Sequence, residues 1–196
     1  MIRDKKIIIL CGPSGSGKTT IAQHLLELIP KLTFSVSATT RPIRGKEVDG
    51  VDYHFLTVND FEEKIAQNEF IEYEEVYKDI FYGTLKSELD KIWNEGKVPV
   101  LDIDVVGALN IKRNFAQNAL TVFVHPGNIE TLKQRLHKRA TESAESFATR
   151  IYKAEEELSM SGNFEHIVYN DNLEVALEKM EHLIFDYLQA DYKFKV

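Results

Sequence analysis

The sequence is poor in the residues that mark several whole classes of protein. Its one cysteine, Cys11, excludes an internal disulfide framework and a multi-cysteine metal cluster, and makes a reducing compartment the simpler expectation. Glycine (10) and proline (5) are too sparse among 196 residues for a collagen-like or low-complexity chain. With 43% hydrophobic and 28% charged residues, the chain has the makings of one folded core rather than of disorder. Long apolar runs are missing too: Ile7 to Cys11 is far short of the ~20 residues that cross a bilayer. That run leads into glycines and Lys18 instead of a small-residue cleavage site, so no membrane partner is expected and a cytoplasmic location follows by elimination. Nor is there an excess of positive charge, since 24 Lys and Arg face 31 acids for a net −7. Between Asp60 and Glu75 seven acids (Asp60, Glu62, Glu63, Glu69, Glu72, Glu74, Glu75) stand against Lys64 alone, which leaves the remainder about neutral. A broad basic face for nucleic acid is therefore not expected, whereas a small anionic ligand such as a nucleotide remains admissible.

What is present is an alternation of strand and helix. Ile7-Ile8-Ile9-Leu10 is a β-branched run that ends at glycines, the pattern of a strand buried on both faces. Val98 to Ile103, Leu120 to Val124 and His166 to Tyr169 share that character. Helical patterns over Lys18–Ile29, Thr84–Asn94 and Val105–Asn114 separate them, with Gly96 as a stop signal after the second and Asn172 opening a last helix towards Leu188. The fold class this predicts is α/β with a parallel sheet. Two stretches interrupt it. From Phe34 to Phe81, short extended patterns (Phe34 to Ser37, Tyr53 to Phe55, Phe70 to Tyr73), a helix near Asp60 to Gln67 and a polar loop at Arg41 to Gly50 suggest a small antiparallel insertion. From His125 to Gly162, two charged helices, Asn128–Arg139 and Ser143–Ser159, meet at Ala140-Thr141-Glu142, and their thin apolar face predicts mobility.

Gly12-Pro13-Ser14-Gly15-Ser16-Gly17-Lys18-Thr19 fits the pattern Gly, four residues, Gly-Lys-Ser/Thr, between a predicted buried strand and a predicted helix. The glycines let successive backbone N–H groups converge on phosphate oxygens, and the helix start adds its positive end. Lys18 would reach the β and γ phosphates, while Thr19 would offer its hydroxyl to Mg²⁺. A dinucleotide fingerprint is disfavoured because Lys18-Thr19-Thr20 supplies no third glycine.

Such a loop serves ATPases, GTPases and small-molecule kinases alike. The Asn-Lys-x-Asp segment with which a GTPase reads guanine is missing, because Asn170-Asp171 lacks the lysine. The insertion instead offers Arg41, Arg44, Tyr53 and Tyr82-Gly83-Thr84, and two guanidiniums with two phenols suit a phosphate monoester. Glu72 adds a base preference if it points inward. Guanine presents N1–H and N2–H₂ side by side, so one carboxylate accepts both, whereas adenine would set a lone pair against it. The hydroxyls of Ser37 and Thr84 could donate to O6, which adenine lacks.

With these residues in view, the chain resembles the guanylate kinases, P-loop enzymes that move the γ-phosphate of ATP to GMP. The matching segments are Gly12 to Thr20, Phe34 to Arg41, Arg44 to Tyr53 with Glu47, Gly50 and Asp52-Tyr53, Glu69 to Glu72, Tyr82-Gly83, Leu101 to Asp104, and Thr141-Glu142 with Glu145 and Arg150. They run in order over essentially the whole length. The resemblance implies a P-loop core (1–33, 87–125 and 161–196), a small mixed α/β GMP-binding insertion (34–86) and a helical lid over ATP (126–160). It puts the GMP site on Ser37, Arg41, Arg44, Tyr53, Glu72, Tyr82, Gly83, Thr84 and Asp104, and the ATP site on Gly12, Pro13, Ser14, Gly15, Ser16, Gly17, Lys18, Thr19, Thr20, Arg135 and Asn170. Lys18, Arg41, Arg139 and Arg150 would be catalytic, Thr19 and Asp102 would hold Mg²⁺, and the product would be GDP, or dGDP from dGMP, in purine nucleotide metabolism.

Two positions depart from the family pattern. Ala140 stands where a glycine usually follows the lid arginine, and the loop glycine after Arg44 is shifted one place to Gly45, so a stiffer lid hinge and a perturbed loop are expected. A protein-binding scaffold of the same fold would typically have lost the phosphate loop, which is intact here, and a kinase for another small acceptor is disfavoured by Glu72 with Ser37. The six histidines show no metal-ligand spacing, and nothing in the pattern specifies an oligomeric state.

Overall fold

Period-two alternation in the central strand builds two cores at once. The computed structural model describes the backbone of residues 5–138 and 144–189, and their side chains except at 136–138 and 144–148. In it β1 (Ile7–Cys11) is fully buried along its length. Ile8 and Leu10 point to one face, against α1 (Lys18–Leu28) and α7 (Leu173–Gln189). Ile7, Ile9 and Cys11 point to the other, against α3 (Lys86–Asn94) and α4 (Val105–Phe115). Such a strand is apolar on both sides because helices cover both sides of the sheet.

Five strands make this sheet, in the order β2-β7-β1-β8-β9, all parallel, with β2 at Leu32–Phe34, β7 at Val98–Asp102, β8 at Ala119–His125 and β9 at His166–Tyr169. The chain leaves β1 for one side of the sheet and later returns to the other side with β8. Loops after β1 and its neighbours therefore diverge at their carboxyl ends, where open α/β sheets bind ligands. The phosphate-loop sequence occupies that crevice, directly between β1 and α1.

A second, four-stranded sheet follows the order β4-β3-β6-β5, with β3 at Ala38–Thr39, β4 at His54–Phe55, β5 at Phe70–Tyr77 and β6 at Ile80–Leu85. It is mixed: β3 pairs parallel with β4, while β3–β6 and β5–β6 are antiparallel. Helix α2 (Val58–Ala66) closes one face. Thr57 caps it, accepting the Asp60 N–H at 3.1 Å, and the fully buried Phe61 stacks on Phe70 (4.3 Å between centroids) and Phe81 (5.3 Å). Helices α5 (Ile129–Lys138) and α6 (Ala144–Ser159) pack through a cluster of four: Leu132 and Ala154, both buried, with Ile129 and Ile151.

The structure corrects three expectations. Leu32–Phe34 is an edge strand of the core sheet, paired with Val98–Val100, so Phe34 ends a core strand and does not begin the insertion. Thr84 lies on β6 instead of opening a helix; pairing with Glu72 holds it extended, and α3 starts at Lys86. The insertion is mixed and not purely antiparallel, because the Arg41–Gly50 loop carries the chain back so that β4 runs alongside β3 in the same direction. The expected hinge at Ala140-Thr141-Glu142 lies outside the described residues.

Because Phe61 is the one fully buried ring between two others in a small cluster, Phe61→Ala is expected to destabilise the protein by about 3–5 kcal/mol. Urea unfolding monitored by circular dichroism measures it, and a loss under 1 kcal/mol would mean that α2 is not what holds the second sheet.

Candidate active site

Consecutive left-handed turns at the end of β1 shape the loop. Gly12 has φ +128°, and a methyl group there would lie 2.6 Å from the Val124 carbonyl oxygen, so β8 leaves room only for glycine. Gly17 (φ +101°) has the Asn170 carboxamide pressed against it in the same manner. Asn170 is buried at the end of β9, donates from Nδ2 to the Ser16 carbonyl at 2.7 Å, and keeps an Oδ1 without a partner. Arg135 of α5 reaches the same region, donating to the carbonyls of Asn170 (2.8 Å) and Ser16 (3.4 Å). Lys18 Nζ donates to the carbonyls of Gly12 (2.7 Å) and Pro13 (3.3 Å) and lies 3.6 Å from Asp102 Oδ1. Thr19 Oγ1 donates to Asp102 Oδ2 at 3.0 Å. Thr20 is exposed.

A cleft of about 800 Å³ opens beside this loop. From the core it is lined by Gly12, Ser14, Lys18, Asp102 and Asp104, and from the second sheet and its loop by Ser37, Arg41, Arg44, Tyr53, Glu72, Tyr82 and Gly83. Arg150 closes it from α6, donating to Ser14 Oγ at 2.6 Å. Arg139 lies outside the described residues.

Arg41 is 6% exposed and is embedded in partners. It grips Glu47 with two bonds (2.7 and 2.6 Å), donates to Pro42 O (2.9 Å) and to Tyr82 Oη (3.2 Å), and lies over the ring of Tyr53, 4.8 Å from its centroid. That pairing holds the Glu47 carboxyl down at about 2 and pushes the guanidinium up. The Arg44 N–H also donates to Glu47 (2.8 Å), and the Glu47 N–H to the Arg44 carbonyl (3.2 Å). Gly45 at φ +59° supplies the left-handed residue of this tight turn, so the shifted glycine still closes the loop.

Strand β5 lines the cleft with Glu72, Val76 and Tyr77; Glu74 is half-buried, while Tyr73, Glu75 and Tyr77 are exposed. Glu72 is buried, receives a 2.6 Å hydrogen bond from the fully buried Thr84, and is pushed up to about 7, chiefly by desolvation. Asp104 caps α4 through Oδ1, accepting from Val106 (2.7 Å) and Gly107 (2.9 Å). Its carboxyl also faces Glu74, whose Oε2 is buried without a partner and whose Oε1 lies 3.6 Å from Lys153 of α6.

Several cleft residues escaped the reading of the sequence. Glu47 was noticed as part of a pattern but given no work. Lys153 and Glu157 were missed, although Arg150, Lys153, Ala154 and Glu157 fall at helical spacing on one face of α6 and all line the cleft. Glu157, half-buried, is raised by burial and opposed by Lys18. Among the described residues no cluster of three or more His, Cys, Asp or Glu side chains could hold a metal by itself, and no helix is long and apolar enough to cross a membrane.

The guanylate kinase family model matches residues 4–187. The chain is 46% identical over 188 residues to a guanylate kinase from Bacteroides fragilis, covering 96% of this chain and 92% of that one. It is 46% identical over 187 residues to one from Salinibacter ruber, covering 95% and 99%. Among solved structures, the crystal structure of guanylate kinase from Anaplasma phagocytophilum superposes with a TM-score of 0.74 at 27% identity, covering 93% of this chain and 86% of that chain.

Burial and the Asp104 carboxyl push Glu74 up to about 8 against the pull of Lys153. The folded chain thus keeps this proton to higher pH than the unfolded chain, where the ordinary value is 4.5. The support it lends the fold is complete below that value and is withdrawn as pH rises through about 8. Glu74→Gln, which never ionises, should therefore melt above the wild type at about pH 9, and the gap should close towards about pH 5. Differential scanning calorimetry across that range measures it, and a gap independent of pH would remove the ionisation of Glu74 from the explanation.

Proposed function

The chain belongs to the guanylate kinase family, and from that premise we propose how its own residues carry out the ATP-dependent phosphorylation of GMP to GDP. The observation that carries the base assignment is Glu72, buried in the cleft and fixed by Thr84. Above about pH 7 its carboxylate accepts from N1–H and N2–H₂ of guanine and Ser37 faces O6, while Thr84, whose one O–H is given to Glu72, holds that carboxylate in place. Arg44 and the hydroxyls of Tyr53 and Tyr82 receive the GMP phosphate. Arg41, with four of its five N–H groups already used, gives that phosphate mainly its charge and one Nη2–H while holding the surrounding loop in shape. Gly83 lines the cleft, and its added methyl would collide with Phe70 and Tyr73, so glycine there lets β6 lie close against β5.

On the donor side, residues Gly12 to Thr20 surround the ATP phosphates with backbone N–H groups and Lys18. Asn170 and Arg135 serve ATP by fixing the Ser16 carbonyl, which keeps the loop amides aimed. Thr19 and Asp102 offer oxygen donors 3.0 Å apart at the loop, a set that suits Mg²⁺, and these residues would hold it. Bound there, Mg²⁺ supplies charge neutralisation between phosphate oxygens. Transfer passes through a loose, highly charged transition state, so Lys18, Arg41, Arg150 and Arg139 contribute by electrostatics and no covalent intermediate is needed. Residues 126–160 form the lid: α6 meets the loop through Arg150 and the insertion through Lys153, and its closure excludes water that would otherwise hydrolyse ATP. Residues 35–86 make the GMP-binding part, Phe34 belonging to the core sheet. The buried Cys11, whose thiol burial pushes well up, needs no oxidising compartment, and a cytoplasmic setting completes the reading.

A coupled ADP-release assay with ATP and Mg²⁺ against GMP, AMP, CMP and UMP tests it. Turnover with GMP alone is expected, and none with any monophosphate would overturn the assignment. Lys18→Ala should lower kcat at least ~10²-fold, the scale of one preorganised transition-state charge, with GMP binding retained. Glu72→Gln should cost GMP efficiency at least ~10-fold, because an amide NH₂ then faces a guanine donor at about 1–3 kcal/mol. Wild-type efficiency with GMP should fall as pH drops below about 7, where Glu72 takes up a proton and loses an acceptor. That acid limb should be missing in Glu72→Gln; unchanged GMP kinetics in this variant would remove Glu72 from base recognition and leave it as the buried partner of Thr84.

A further inference from the structure

Glycine is among the poorest helix formers and alanine the best, so a buried glycine in the first turn of a helix asks for a reason. Gly107 is the third residue of α4, and it is buried where that helix packs against β5. Its φ is not in the left-handed region, so backbone conformation does not require glycine here. What does require it is space. A methyl group on Gly107 would lie 2.5 Å from Glu72 Oε2 and 3.2 Å from Glu72 Cδ, with Asp104 Oδ2 at 3.3 Å. The first contact is tighter than packed atoms tolerate and the other two are tight, and the atom in the way is the end of a side chain that can swing. Relief therefore comes by turning the Glu72 carboxylate, which breaks its 2.6 Å bond from Thr84.

We infer that Gly107 is a positioning residue for guanine recognition, its missing side chain forming the notch that seats the Glu72 carboxylate against Thr84 in the guanine-reading pose. The inference rests on the proposal that Glu72 reads the base. Gly107 touches no substrate in this scheme. Its backbone N–H is already given to Asp104 Oδ1 at 2.9 Å, so the same residue forms the notch and takes part in the helix cap. A helix that would gain from alanine keeps glycine, and with it the orientation of one carboxylate.

The test uses the full chain as wild type, Gly107→Ala, Glu72→Ala and the double variant, with steady-state kinetics for each substrate and thermal melting. Gly107→Ala should raise KM for GMP at least ~10-fold, the cost of a buried acceptor turned from its donors, and leave KM for ATP within about twofold. Its melting temperature should stay close to that of the wild type, since the helix propensity gained offsets most of the cost of the Thr84 hydroxyl losing its acceptor. In the Glu72→Ala background, where the colliding carboxylate is gone, the same substitution should add less than about twofold. A folded Gly107→Ala with unchanged KM for GMP overturns the inference. So does a KM loss for ATP of equal size, a melting temperature well below wild type, or a full additional cost in the Glu72→Ala background, each of which would make Gly107 a general packing residue. If Glu72→Ala itself leaves GMP kinetics unchanged, the base assignment fails, and this inference falls with it.

Discussion

The two-pronged ion pair between Arg41 and Glu47 is the constraint around which the acceptor side of the cleft is assembled. A guanidinium only 6% exposed would be costly without a partner, and Glu47 meets it with both carboxylate oxygens. The same carboxylate then takes the Arg44 N–H, so one acid sets the course of the chain through both arginines. Around the guanidinium, Tyr53 lies on its face and Tyr82 at its edge, and the two rings meet edge to face at 5.9 Å. A polar loop of ten residues between two short strands would otherwise have many conformations. Here its geometry is set by charge and ring contacts that also leave cationic and phenolic groups facing the cleft.

Much of the core was legible because burial on two faces writes itself into sequence. Ile7 to Cys11, Val98 to Asp102 and Ala119 to His125 are apolar runs that admit one interpretation, and the glycine-lysine motif between β1 and α1 identifies the loop by chemistry. Leu32–Phe34 was illegible as a core strand since three residues, two of them half-buried, carry no usable period. Thr84 read as helical because its own neighbours are neutral about it; only the pairing of β6 with β5 decides the matter. Both failures come from non-local hydrogen bonding, which local pattern does not encode.

The site divides in the same way. Lys18, Thr19, Arg41, Arg44 and Glu72 could be singled out because their types and spacing fit phosphate and base chemistry, or because the whole pattern resembles one family. The work of Glu74, Lys153 and Glu157 depends on which faces of β5 and α6 meet across the cleft, and that meeting is a tertiary event. Asn170 is the instructive case. The resemblance assigns it to the ATP site, and its buried amide nitrogen reaches the Ser16 carbonyl, a bond between residues 154 apart in the chain that holds the loop.

The run of acids on β5 has one more consequence. β5 closes one side of the four-stranded sheet, a position in which backbone groups can recruit a strand from another molecule. Its pairing with β6 slips between Phe70 and Glu72 and again between Glu75 and Tyr77, so the edge is irregular, and Glu75 stands outward from it. Two such edges approaching each other would bring carboxylates together on a strand too uneven to zip. The segment that brings Glu72 into the cleft thereby also blunts the open edge of its own sheet.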